Sequence, residues 1–267
     1  MSMQRIVTAR IELDVTDPAD LVFAVAASRA YAPASESLDV RVDGSPVPVR
    51  ELADAHGGRL HRVDAPIGRL RLDYAATIDG AATPLDADET ELLVYGRPSR
   101  YAESDALAPT AAAEFGGITD SSDLLTGVSS WVGTELSYVS GSSLPTDGAV
   151  RTLLARRGVC RDYAHLCVAL LRAGGVPARL VAVYAPGLDP MDFHAVAEAW
   201  VDGAWRVVDA TTLAPRDTLV RIATGRDAAD TAFLNILRGR ADLVDLQVTA
   251  TADTLPDDDL DRLISIS

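Results

Sequence analysis

The chain has 267 residues and two cysteines, Cys160 and Cys167, which share one stretch, "RRGVCRDYAHLCVALLRAGG". Cys160 follows Gly158 at the point where an apolar run begins, which places it in the first turn of a helix. Unpaired N–H groups and the positive end of the helix macrodipole favour an anion at that position. A thiolate is such an anion, so Cys160 is expected to be the more acidic and more nucleophilic of the two. The competing reading is a small apolar residue filling a core, as free cysteines often do. Cys167 lies mid-helix and reads as core packing. Seven helical residues put the two Cα atoms roughly 10 Å apart, beyond the roughly 7 Å that a disulfide spans.

A nucleophilic cysteine needs a base, usually histidine, oriented by a third group. His165 is five residues along the same helix, about 140° around its axis and about 7.5 Å along it. It reads as packing or hydrogen bonding. His194 is better placed. The segment "FHAVAEAWVDGAWRVVDAT" reads as a hairpin turning on Asp202-Gly203. A two-residue turn pairs Val201 with Ala204, Trp200 with Trp205 and Val196 with Asp209. Alternation then puts His194, Val196, Glu198 and Trp200 on one face, with Trp205, Val207, Asp209 and Thr211 across from them. His194 and Asp209 become diagonal neighbours, within reach of one another. A slip of one residue would move Asp209 to the other face. Glu198 is the rival carboxylate, but it lies about 13 Å from His194 along the same strand. Asp209, among apolar neighbours at a strand end, is the one that needs a partner.

The elements that must hold these residues fall into an α+β order. The first hundred residues read as β: "RIELDV" (10–15), "LDVRV" (38–42), "RLRLDY" (69–74) and "TELLVY" (90–95) are short strands broken by Pro, Gly and Asp. They suggest a small sandwich or barrel. Composition changes near "GRPSRYAESD" (96–105). From Asp120 the spacing of Leu124, Leu125, Val128, Trp131, Val132 and Leu136 predicts a helix, with Asp120 or Ser121 as N-cap. "TDGAVRTLLARR" predicts a short helix capped by Thr146. The Cys160 helix should end at Gly174-Gly175, and "ARLVAVYA" is a strand. The division expected is residues 1–98 as an N-terminal β domain, 99–252 as the domain carrying the chemistry, and 253–267 as an acidic tail with room for one helical turn.

Composition narrows the function. With 48% hydrophobic and 24% charged residues the chain can build a real core. A net charge of −15 argues against nucleic acid as a partner. No run of about 18 apolar residues marks a membrane span, and "MSMQRIVTARIELDV" carries no signal peptide, so neither a membrane partner nor export is expected. Two cysteines make no disulfide framework, and the cytoplasm is the expected compartment. His56 and His61 in "AHGGRLHRV", or "DFH" with Glu198, lack a full metal-ligand set, so no metal is assigned, and no cofactor motif is present. Lysine is absent throughout. Codon bias accounts for that, and so would a transamidase that must avoid crosslinking itself.

Together "GVCRDYAHLCVALLRAGGVPARLV" and "FHAVAEAWVDGAWRVVDAT" resemble the bacterial transglutaminase-like superfamily of papain-like thiol enzymes. The best-matching region runs from about Ser129 to Pro215, and the β-rich start resembles the N-terminal domain of bacterial members. The resemblance implies a helix opened by Cys packed on an antiparallel sheet carrying His and Asp, with Cys160, His194 and Asp209 as a catalytic triad. It further implies acyl transfer from a peptide or protein amide through a thioester. The Cys160 backbone N–H is then a natural oxyanion donor at a helix start. Tyr138, ahead of the "SGSSLP" loop, is the candidate second donor, its other reading being a helix cap or packing. A cysteine protease or amidohydrolase is the first expectation. A protein-glutamine transamidase and a non-catalytic scaffold are the alternatives. Neither substrate identity nor oligomeric state is encoded in these motifs.

Overall fold

A computed structural model describes residues 3–266, so the expected domain ends at Met1, Ser2 and Ser267 lie outside the described residues. The chain begins with β1 (Gln4–Phe23), β2 (Ser35–Val42), β3 (Ser45–Pro46), β4 (Arg50–Ala53), β5 (Arg59–Ala65) and β6 (Gly68–Asp79). Helices follow: α1 (Glu89–Tyr95), α2 (Ser104–Phe115) and α3 (Ser121–Glu135). Next come β7 (Ser137–Tyr138), α4 (Ala149–Ala155), β8 (Arg157–Gly158) and α5 (Cys160–Ala173). The chain closes with β9 (Ala178–Tyr184), β10 (Phe193–Val201), β11 (Ala204–Val208), β12 (Val220–Gly225), α6 (Ala228–Thr231) and β13 (Leu234–Ala252).

The N-terminal strands form one antiparallel sheet in the order β3-β2-β6-β1-β5-β4. β1 alternates buried and solvated residues from Gln4 to Val15, as a sheet with one wet face requires. Its first half pairs with β6, its last residues pair with β5, and β13 runs along its other side from Arg5 to Phe23. Register shifts between Glu12 and Leu21 let that long pair bend. The sheet is therefore curled and takes strands from both ends of the chain. Of the expected 99–252 unit, β13 pairs into the N-terminal sheet.

The second sheet, ordered β11-β10-β9-β12, carries α5 on one face. Residues Tyr163 to Arg172 of α5 are all buried. A helix that is apolar nearly all round must be covered on several sides, and α2, α3, α4, β9 and β10 all pack against it. The two sheets share a core. Tyr184, Val220 and Ile222 of the second sheet sit in the same cluster as Val7, Ile11 and Leu72 of the first. Hydrogen bonds cross the junction from Ser28 N to Arg221 O at 2.8 Å and from Tyr184 Oη to Val25 O at 2.8 Å.

Three local expectations change. Thr90–Tyr95 is helical, not a strand. Its short apolar run has no decisive period, and Asp88 caps it by accepting from Glu91 N at 2.8 Å. α4 begins after Gly148 without a side-chain cap, so Thr146 does not cap it. The residues after β13 are not a free tail. Ile264 and Ile266 are buried, Ile264 O accepts from Val207 N at 2.7 Å, and Asp258 receives the Arg216 guanidinium at 2.9 Å.

Candidate active site

Gly158 and Asp162 shape the turn that carries Cys160. Val159 is extended and precedes the helix. Asp162, three residues into the turn, accepts from Val159 N at 2.9 Å and so pairs a backbone donor that the helix start leaves free. The Asp162 side chain lies so close to Gly158 that a Cβ there would meet Asp162 Cβ at 2.6 Å. Glycine at 158 is thus required by approach, with no special φ involved. Ser143 Oγ donates to the other Asp162 oxygen at 2.9 Å, and Arg161 reaches Ser143 Oγ and Leu144 O, each at 2.6 Å. The "GSSLP" loop is therefore tied to the first turn of α5.

Cys160 is partly exposed at this helix start, whereas Cys167 is buried. Burial, with Asp209 behind it, pushes the Cys167 thiol far above the ordinary range, so it stays neutral. The two cysteines share one helix and differ in access.

The hairpin forms in the expected register. Asp202 and Gly203 both adopt positive φ, at 52° and 71°, the geometry of a tight hairpin turn. Val201 pairs with Ala204, Trp200 with Trp205 and Ala197 with Val208. Asp209 follows directly on the last ladder residue of β11. His194 Nε2 donates to Asp209 Oδ2 at 2.8 Å. Asp209 Oδ1 accepts from Thr211 N at 3.0 Å and from Thr211 Oγ1 at 2.6 Å. Both carboxylate oxygens are thus occupied in a buried site. Burial opposes the Asp209 charge, but His194 and the two Thr211 donors overcome it and hold its pKa below the usual value.

His194 Nδ1 is buried, and besides Asp209 the ring interacts with the Cys160 side chain. The Cys160 sulfur lies near enough to act on the ring electrostatically. Burial works against the imidazolium, yet Asp209, and then Cys160, lift the His194 pKa to about 10. The structure thus brings Cys160, His194 and Asp209 together from a helix start, a strand start and a strand end.

Tyr138 reaches the same place by a different device. β7 and β8 form a two-residue parallel ladder that sets Tyr138 beside Gly158, two residues ahead of Cys160. Burial first, then Cys160, push the Tyr138 hydroxyl up to about 12, so it remains a donor at neutral pH.

The other candidates lie elsewhere. His165 is fully buried, accepts from Ala228 N at 3.1 Å and stacks on Tyr101 with centroids 5.4 Å apart. Burial lowers its pKa to about 3, so it is a neutral packing residue. Glu198 is held by Arg179 at 2.8 Å and by Arg221 at 2.6 Å. His56 accepts from or donates to Tyr95 Oη at 2.8 Å, and His61 faces Glu51 at 3.3 Å. Sequence reasoning missed Thr211 and Asp162 as supports. The "D-A-T" and "C-R-D" spacings, typical of local side-chain-to-backbone bonding, are the signals that could have found them.

Residues 109–210 match the transglutaminase-like superfamily. A candidate cysteine protease from Cytophaga hutchinsonii, known as a crystal structure, is 34% identical, with a TM-score of 0.86 over 96% of this chain and 93% of its own. The chain belongs to the transglutaminase-like superfamily. Two further relatives are uncharacterized mycobacterial proteins. The one from Mycobacterium leprae is 31% identical over 134 residues, 46% of this chain and 48% of that protein. The one from Mycobacterium bovis is 34% identical over 143 residues, 48% of this chain and 45% of that protein. The chain spans about half the length of these curated relatives. Against the transglutaminase-like family, residues 109–210 take in α5 and both strands of the hairpin, with Cys160, His194 and Asp209 inside them. β1 to β6 and β13 lie outside that match.

Proposed function

We propose that this transglutaminase-like chain is a cysteine hydrolase acting on peptide or protein amides, with Cys160 as nucleophile, His194 as general acid and base, and Asp209 as its orienting partner. The observation that carries this reading is the His194 ring. One nitrogen is fixed on a buried carboxylate, and the ring also interacts with a cysteine at a helix start.

The chemistry follows from that placement. Held protonated at neutral pH, His194 stores the proton that a leaving amine needs. The Cys160 thiolate attacks the amide carbonyl carbon, and the π electrons move to oxygen. The Cys160 N–H and the Tyr138 hydroxyl are the donors for that oxyanion. Collapse breaks the C–N bond, His194 gives its proton to the amine, and a thioester remains. Neutral His194 then takes a proton from water, whose oxygen attacks the thioester and releases the acid. Asp209 keeps the imidazolium oriented and charge-balanced throughout.

The test is to alkylate with iodoacetamide at pH 5–6, map the label, and then incubate with glutamine peptides with and without a primary amine. Preferential labelling of Cys160 and release of acid without amine incorporation support a hydrolase. Amine incorporation would make the chain a transamidase. Labelling of Cys160 no faster than a free thiol would remove the ion pair from the reading.

A further inference from the structure

Beside Cys160 and His194 lies a cavity of about 500 Å³ whose walls come from both sheets. Small side chains hollow it out: Ala24, Ala182, Ala195, Ala228 and Ala232. Leu180 and Ile222, each 1% exposed, are among its apolar lining. Phe193 and Phe233 stack along one wall with centroids 5.5 Å apart. Tyr101 and Pro145 line it as well. Among the described residues no carboxylate lines it, although acidic residues outnumber basic ones 39 to 24 in the chain. Apart from the Cys160–His194 pair, the one charged side chain among its described lining residues is Arg161, whose guanidinium is bound to Ser143 and Leu144. The groove on the other side of the site differs. It holds Asp209, Thr211, Thr212, Arg216 and Asp261.

We infer that this cavity is a specificity pocket for a bulky aliphatic or aromatic side chain flanking the scissile amide. The inference rests on Cys160 being the nucleophile. An apolar cavity that opens at a reacting sulfur gains from any side chain that empties it of water. It penalises a charged side chain, which would find no partner inside. Ala24, Leu234 and Asn235 bring the edge of the N-terminal sheet into the lining. That sheet is thereby part of substrate recognition, and its strand β13 returns from the far end of the chain to complete the wall.

The experiment uses the full chain and a matched set of N-substituted iodoacetamides. In each, the Cys160 thiolate displaces iodide to form a C–S bond, and the N-substituent alone varies. Isobutyl and phenethyl substituents are compared with carboxymethyl and aminoethyl ones, each rate taken relative to parent iodoacetamide and to glutathione. Apolar substituents should alkylate Cys160 about tenfold faster than charged ones, the scale on which apolar pockets discriminate. Ala232→Phe, which fills the cavity, should collapse that ratio toward one. Phe233→Ala, which widens it, should shift the preference to larger substituents. Equal rates for apolar and charged reagents, or an unchanged order in both variants, would overturn the pocket while leaving Cys160 a nucleophile. Ordinary thiol reactivity toward parent iodoacetamide would instead overturn the hydrolase reading, and this inference with it.

Discussion

His194 Nε2 stands 2.8 Å from Asp209 Oδ2, and the two residues are 2% and 5% exposed. An imidazole so buried would ordinarily titrate low. Here the carboxylate reverses that and holds the ring charged. Asp209→Asn keeps the shape and removes the counter-charge. Each pKa unit by which His194 then falls below the working pH is worth about a factor of ten in its protonated fraction. Alkylation of Cys160 at pH 6 should fall by about tenfold or more, and its pH profile should move toward that of an ordinary thiol. An unchanged profile would detach Asp209 from the chemistry.

Stability should follow the same pair with pH. The folded His194 pKa, about 10, lies above its ordinary 6.5. Its contribution is therefore complete below pH 6.5 and is lost as pH rises through about 10. Asp209 has the opposite sign. Its folded pKa is depressed below 3.8, so its contribution is complete above that value and is lost on acidification. The pair stabilises most between about pH 4 and 6.5. Urea midpoints for wild type and His194→Gln should differ more at pH 6 than at pH 10. A constant difference would rule out a charged His194 in the fold.

The hairpin was legible because Asp202-Gly203 leaves one favourable turn, and the turn alone sets which residues face each other. His194 and Asp209 followed from it. The α5 start was legible for a similar local reason, a glycine followed by a polar first turn. What failed was long-range. Nothing within Leu234–Ala252 says that its partner is β1, some 230 residues earlier. The run at Thr90–Tyr95 was too short to show a period, and its Asp88 cap decides it. The cavity beside Cys160 was invisible for the same reason as β13. Its alanines come from separate segments that only the two joined sheets bring together.

Thr211 should matter through Asp209 alone. Its Oγ1 donates to Asp209 Oδ1 at 2.6 Å, while its backbone N–H donates to the same oxygen at 3.0 Å. Thr211→Val removes one of those two donors and costs about 1 kcal/mol of stability. The Asp209 pKa should rise, and the acid limb of Cys160 alkylation should move up with it. Thr211→Ser restores the hydroxyl and should restore the limb. A purely structural role would shift the melting temperature and leave the limb in place.

Gly158→Ala tests the turn itself. The new Cβ would fall 2.6 Å from Asp162 Cβ, a distance that cannot persist. Relief requires Asp162 to withdraw, which breaks its bonds to Val159 N and Ser143 Oγ. Overpacking of this kind costs about 1–3 kcal/mol. Thermal unfolding should register that loss, and Cys160 alkylation should slow as its turn is displaced. Unaltered melting and alkylation would show that the turn tolerates a side chain.

Glu198 separates a structural carboxylate from a chemical one. It is fully buried between Arg179 and Arg221, with Arg179 also lying 3.8 Å over the Trp205 ring. Burial opposes its charge, and the two guanidiniums overcome that, holding its pKa at about 2. Glu198→Gln leaves two buried cations without their shared anion. Removing one member of such a pair costs about 3–5 kcal/mol. The same change should leave the His194–Asp209 bond intact, because the hydrogen bonds of Glu198 go to Arg179 and Arg221. Chemical denaturation should therefore show a large loss of stability. The pH profile of Cys160 alkylation, measured well below the melting point, should keep its wild-type midpoint. A shifted midpoint with unchanged stability would make Glu198, and not Asp209, the carboxylate that governs the histidine.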